Sequence, residues 1–160
     1  IRPHYASTDK AKSIEYVIHA LDSLKEMGEV YDAVMILQPT NPQRNLFDIC
    51  DAVKKFISSK AESLISCYEE DYINELVMYV QENKDILKPL HPNHNKGVRR
   101  QQHGPMLIRS GTLYVTKTPY LLRTKQLICD NPMLLKINKL ESIGIDNLDD
   151  LNLLRMIICK

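Results

Sequence analysis

The stretch from residue 33 to residue 68 constrains the fold more than any other. Ala33-Val34-Met35-Ile36-Leu37 is apolar without a break, the pattern of a short strand covered on both faces. Pro39 and Pro42 end it, because proline offers no amide to a ladder. A helix is expected from Asn45, whose side chain suits a cap, with Asp48 in its first turn. Leu46, Ile49, Val53, Phe56 and Ile57 are expected to face inward. Ser63-Leu64-Ile65-Ser66-Cys67-Tyr68 then reads as a second strand. Strand, helix and strand on short links predict an α/β domain. Its sheet is expected to be mostly parallel, with helices on both faces and a right-handed crossover.

The flanking segments extend this reading. Ile14, Val17, Ile18, Leu21, Leu24 and Met27 keep helical spacing, with Thr8 or Asp9 as the expected cap and Gly28 at the end. Residues 75–80 and 86–90 read as two strands joined across 81–85, and both faces of that hairpin carry apolar side chains. Such a hairpin needs a cover, either its own core or a second subunit. Residues 91–104 read as a polar loop, followed by a strand at Thr112-Leu113-Tyr114-Val115. Short strands are expected near 134–137 and 143–145. A last helix comes next, with Asn147 as cap and Asp149 and Asp150 in its first turn.

Composition narrows the class of partner. Lys and Arg total 21 against 20 Asp and Glu, leaving +1, so no broad field grips nucleic acid or an anionic membrane. No apolar run approaches the ~18–20 residues that span a bilayer. Charges in the first dozen positions break a signal-peptide pattern. A soluble, cytoplasmic protein is the expectation. Cys50 and Cys67 are expected to be small core residues, and His91-Pro92-Asn93-His94 lacks the cysteine pair of a zinc site. The length of 160 residues fits one domain, and the start at Ile1 reads as a piece of a longer polypeptide.

Three places carry candidate chemistry. In an open α/β sheet, ligands bind beyond the carboxyl ends of the strands. Gln38 sits there, opening a turn stiffened by two prolines. Asp146 precedes a helix, where a carboxylate caps the helix or holds Mg²⁺. Arg99-Arg100-Gln101-Gln102 offers guanidinium forks and amides to an anionic, hydroxyl-rich ligand, or is a solvated basic loop.

Leu37-Gln38-Pro39-Thr40-Asn41-Pro42-Gln43-Arg44 resembles the Leu-Gln-Pro-Thr-Ser-Pro-Leu-Arg motif of the acylneuraminate cytidylyltransferases, the CMP-sialic acid synthetases. Arg2-Pro3, Ala6-Ser7-Thr8-Asp9 and Ser13-Ile14 resemble that family's Arg-Pro…Ala-Ser-Asp…Ser-Ile segment. Arg100-Gln101-Gln102 with Gly111-Thr112-Leu113-Tyr114-Val115 resembles Arg-Gln-Gln…Asn-Gly-Ala-Ile-Tyr-Ile. Ser142-Ile143-Gly144-Ile145-Asp146 with Asp149-Asp150-Leu151 resembles Ser-Ile-Asp-Ile-Asp…Glu-Asp-Leu.

The resemblance implies a Rossmann-like nucleotide-diphosphosugar transferase sandwich over residues 1–160. Residues 72–104 would form a small inserted lobe that makes a homodimer. The implied reaction transfers CMP from CTP to the anomeric hydroxyl of a sialic acid, or of a relative such as legionaminic or pseudaminic acid, and releases pyrophosphate. Arg2 and Ser13 would contact the nucleotide, Gln38, Arg100 and Gln101 the sugar, and Asp146 the Mg²⁺; nucleic acid and membrane are not implied as partners. Several positions depart from the family pattern. The family's Ile-Pro-Ala-Arg-x-Gly-Ser-Lys phosphate loop lies upstream of the segments matched here. Gly144 replaces one metal carboxylate, Ser110 replaces Asn, and Ile108 replaces Arg while Arg109 stands beside it. These departures favour the alternative of a truncated or degenerate non-catalytic homologue that binds sugar or nucleotide only.

Overall fold

A computed structural model describes residues 2–8, 10–97 and 104–158. Helix α1 (Ser13–Glu26) precedes strand β1 (Ala33–Ile36), helix α2 (Leu46–Ser58) and strand β2 (Ser63–Glu70). A hairpin of β3 (Tyr79–Asn83) and β4 (Ile86–Pro89) comes next, then the long strand β5 (Met106–Lys117). Helix α3 (Thr118–Thr124), strand β6 (Met133–Lys136) and helix α4 (Leu148–Ile158) complete the order.

The main sheet has the order β1-β5-β2-β6. Strand β5 runs antiparallel to both β1 and β2, while β2 and β6 are parallel. The expectation of a mostly parallel sheet is therefore corrected to a mixed α/β sheet, in which two of the three ladders are antiparallel. β1 and β2 do point the same way, as a strand–helix–strand unit requires, but β5 is wedged between them. A link of many residues is free to return a strand in either direction, so local pattern does not fix that neighbour.

Alternation along β1 and β5 divides the core into two layers. Met35, Leu113 and Val115 pack with Ala52 and Phe56 of α2 on one face, joined by Leu64, Leu135 and Ile137. Ile36 packs with Val17 of α1 and Leu121 of α3 on the other, where Val34 and Tyr114 also lie. Each face of the sheet is thereby covered by helix, as expected. Among the described residues β1 is an edge strand and Ile36 is its one buried position, so complete cover of both its faces is not found there.

Several local expectations are met by identifiable bonds. The Asn45 side chain accepts from the Phe47 amide and caps α2. Gly28, at φ 86°, closes α1: its amide donates to the Lys25 carbonyl and the Glu29 amide to Leu24. Asn147 Oδ1 accepts from the Asp149 and Asp150 amides, and the Asp150 carboxylate accepts in return from Asp146 and Asn147.

Other expectations are corrected. α1 starts after Lys12 without a side-chain cap; Thr8 offers only its carbonyl, to Ala11, and Asp9 lies outside the described residues. The inward stripe of α2 is Ile49, Ala52 and Phe56, whereas Leu46 and Ile57 are 70% and 78% exposed and Val53 partly so. Cys50 is exposed on that helix, while Cys67 is buried in β2 as expected. Glu75–Val77 is a 3₁₀ turn capped by Asn74, so the hairpin begins only at Tyr79. Residues 143–145 form no strand; a 3₁₀ turn covers Leu140–Ser142, and a bond from the Ile145 amide to the Thr40 carbonyl anchors the chain after it. α3 is too short, at seven residues, to show a period in the sequence. Among the described residues, no helix is long and apolar enough to cross a membrane.

Candidate functional site

β5 does not run straight. Cys67 pairs with Arg109 and Ile65 with Tyr114, so two steps along β2 match five along β5. The surplus, Ser110 to Leu113, bulges out of the ladder and leaves backbone groups to be satisfied in the interior. Ser66, fully buried, supplies the partners. Its hydroxyl accepts from the Leu113 amide at 3.0 Å and lies 3.1 and 3.3 Å from the Leu113 and Ser110 carbonyls. The Ser110 and Thr112 hydroxyls meet at 2.6 Å and close the other side.

The proline turn lands on this bulge. The Gln38 carbonyl accepts from the Asn41 amide at 3.1 Å and from the Arg44 guanidinium, whose Nε is buried without a hydrogen-bond partner among the described residues. A Cβ on Gly111 would stand 2.7 Å from both Gln38 Oε1 and Asn41 Oδ1, so only glycine leaves room for those amides. Asn41 is buried, at 4% exposure, and its Nδ2 donates to the Ser142 carbonyl. Gly144 faces the same amide, and the Ile145–Thr40 bond ties the third segment in place. Three stretches far apart in the chain thus meet at the carboxyl end of β1.

Two recesses open there. One, of about 170 Å³, is lined by Ser13, Gln38, Arg109 and Tyr114, with Leu127 and Ile128 as apolar wall. The wall is held by Thr116, whose hydroxyl bonds the Leu127 carbonyl, and by Ser63, which accepts from the Cys129 amide. The other is an apolar groove of about 450 Å³ between α1 and the free edge of β1. Arg2 stands at it, 4.3 Å over the Tyr16 ring, and Leu37 and Pro39 on either side of Gln38 line it too.

Burial pushes the Tyr114 phenol above its ordinary value, opposed by the Arg109 guanidinium and reinforced by the Cys67 thiol. Cys67 is raised by burial and lowered by the same guanidinium. Beneath the turn, burial and the hydrogen bond and charge of Asp48 raise the Glu141 carboxyl above its ordinary value.

Of the residues singled out from sequence, Ser13 and Gln38 come together in one recess, and Arg2 lies in the neighbouring groove. Arg100 and Gln101 lie outside the described residues. Asp146 is exposed directly after the Ile145 tether, and its carboxylate has no hydrogen-bond or ion-pair partner among the described residues. No group of three or more potential ligands gathers among those residues. His91 and His94 turn to separate neighbours, Glu75 and Tyr79. Sequence reasoning missed Ser66, Asn41 and Tyr114. A glycine inside a strand pattern, as at Gly111, is the available signal, since it marks a bulge or a close approach.

No protein-family model matches the chain. Over 168 aligned positions it is 23% identical to the N-acylneuraminate cytidylyltransferase of Escherichia coli O18:K1:H7 (strain RS218 / NMEC). The alignment takes in 96% of this chain and 35% of that relative, so the chain spans about a third of the length of the protein it matches. The similarity supports a distant relationship to a nucleotidyltransferase.

Proposed function

We propose that this chain belongs to a cytidylyltransferase that transfers CMP from CTP to the anomeric hydroxyl of a sialic acid or related nonulosonic acid. The observation that carries the reading is the convergence of the 38–41 turn, the 110–113 bulge and the 144–146 segment around Gly111 and Asn41. Each of these segments resembles the same family, and the distant relative carries the same activity in its name. The sheet is then a nucleotide-diphosphosugar transferase sheet of Rossmann-like type, and the hairpin within residues 72–104 a homodimer contact.

The anomeric oxygen attacks the α-phosphorus, the bond to the β-phosphate oxygen breaks, pyrophosphate leaves and the hydroxyl proton passes to solvent. The protein's part is to position and to neutralise. Arg2 and Ser13 hold the nucleotide; Gln38 holds the sugar, with Arg100 and Gln101 completing its contacts. Asp146 suits Mg²⁺, an ion that commonly takes one or two protein carboxylates and fills its shell with water and phosphate oxygens. Its carboxylate is uncommitted among the described residues, whereas that of Asp150 is used in capping. When bound, the ion supplies charge neutralisation on the triphosphate.

A second reading, a homologue that binds without turnover, is favoured by Gly144. A Cβ there would make only ordinary contact, 3.4 Å from Asn41 Nδ2, so space does not demand glycine; the position lacks the second carboxylate of the family pattern. Mg²⁺-dependent pyrophosphate release from CTP, measured on the native polypeptide across a panel of nonulosonic acids, separates the two. Release with one sugar, abolished by D146N, supports the transferase. No release with any sugar, together with retained sugar binding, refutes it in favour of the second reading.

A further inference from the structure

We propose that Asn41 is a positioning residue that locks the Gln38 turn to the segment carrying Asp146, and so fixes the spacing between the group that holds the sugar and the group that holds the ion. The inference rests on the reading above. It adds a residue to which that reading gives no contact with substrate, at a position where the family pattern has serine.

The hydrogen bonds make the case. Asn41 is nearly sealed from solvent, and its carboxamide is shared between two segments. Oδ1 lies against Gly111 in the bulge, where a Cβ would stand 2.7 Å away, and Nδ2 donates to the Ser142 carbonyl at 3.2 Å. The Asn41 amide donates to the Gln38 carbonyl at 3.1 Å, so the same residue closes the turn. Its neighbour completes the clamp, because the Thr40 carbonyl accepts from the Ile145 amide at 2.8 Å. The Asp146 amide donates to the Asp150 carboxylate at 3.0 Å. The backbone around Asp146 is therefore held by the turn on one side and by the start of α4 on the other, while the Asp146 side chain stands exposed.

The departures from the family pattern give the clamp a purpose. Gly144 leaves Asp146 as the one carboxylate of the family's pair, so its placement rests on the protein's own bonds. A serine hydroxyl sits one bond nearer the backbone than a carboxamide nitrogen. It would fall short of a carbonyl that the Asn41 nitrogen itself reaches only at 3.2 Å. The bond is thus a property of the asparagine. Alignment of bound groups governs the transfer step, and a misplacement of about 1 Å costs on the order of 100-fold in rate.

The test compares the native polypeptide with N41S and N41A in Mg²⁺-dependent pyrophosphate release, using the sugar that the parent accepts. N41S carries the residue of the family pattern and is expected to fold; thermal unfolding is measured first and kinetics are run well below each transition. In both variants kcat is expected to fall about 10- to 100-fold, with KM for CTP and sugar within about threefold and half-saturating Mg²⁺ raised. Hydrogen exchange of the Ile145 amide, which needs no substrate, is expected to quicken about tenfold or more, while that of the Ile137 amide, bonded to the Cys67 carbonyl, does not change. Unchanged kcat in the folded variants, or a raised sugar KM with kcat intact, overturns the inference while the transferase reading stands. Exchange at Ile145 as slow as in the parent, or an N41S that does not fold, overturns it as well. No release by the parent with any sugar overturns both.

Discussion

Gly111→Ala tests the packing at the centre of the site. The added methyl would stand 2.7 Å from Gln38 Oε1 and 2.7 Å from Asn41 Oδ1, closer than carbon and oxygen come without repulsion. Gln38 is half-buried and its amide can swing away at little cost. Asn41 has less freedom, because it is buried and its Nδ2 is committed to the Ser142 carbonyl at 3.2 Å. Overpacking of this kind costs about 1–3 kcal/mol. Replacing glycine by alanine returns about 0.4–1 kcal/mol through the unfolded chain where the backbone is compatible, and φ at 111 is not in the left-handed region. The net expectation is a loss of about 1–2 kcal/mol. For a domain of this size that lowers Tm by roughly 2–8 °C. Urea unfolding should move its midpoint without changing its slope. In an Asn41→Ala background the same substitution should cost less, since one of the two obstructing atoms is gone. A Gly111→Ala change within about 0.5 kcal/mol of neutral, with no coupling to Asn41, would refute the reasoning.

Three further outcomes are expected. Ser66→Ala leaves the Leu113 amide buried without its acceptor and should cost about 1–3 kcal/mol in urea unfolding; a neutral result would mean that the bulge is not held by that hydroxyl. Glu141 has its pKa raised by burial and by the hydrogen bond and charge of Asp48, so it contributes stability that is full below the ordinary glutamate value and is lost as pH rises through the folded value. Glu141→Gln should therefore be more stable than the parent at neutral pH, the gap narrowing toward acid, and pH-independent parallel curves would contradict the pairing. Val80 and Ile86 are about half exposed on the hairpin, and replacing both with lysine should convert a dimer to monomer in sedimentation velocity; a parent that already sediments as a monomer would remove the hairpin as a subunit contact.

What the sequence determined by itself is the set of decisions made by near neighbours. Gly28 ends α1, Asn45 starts α2 and Asn147 with Asp150 starts α4, because each needs only the amides within one turn. The directions of β1 and β2 are legible as well, from the short helix between them. The stripe of α2 is not, because Leu46, Val53 and Ile57 keep helical spacing yet lie on its outer side; spacing shows that an apolar face exists, and only the sheet says which face it covers. Tertiary structure alone decided that β5 enters between β1 and β2, since pairing across such separations depends on which edges meet rather than on any local pattern. It also decided the site. Ser66 props open a bulge in a strand more than forty residues away, that bulge turns Arg109 onto the face of Tyr114, and Gly111 admits Gln38 and Asn41. The alternation of a strand can be read from sequence, but the place where alternation breaks is set by the partner that fills the break.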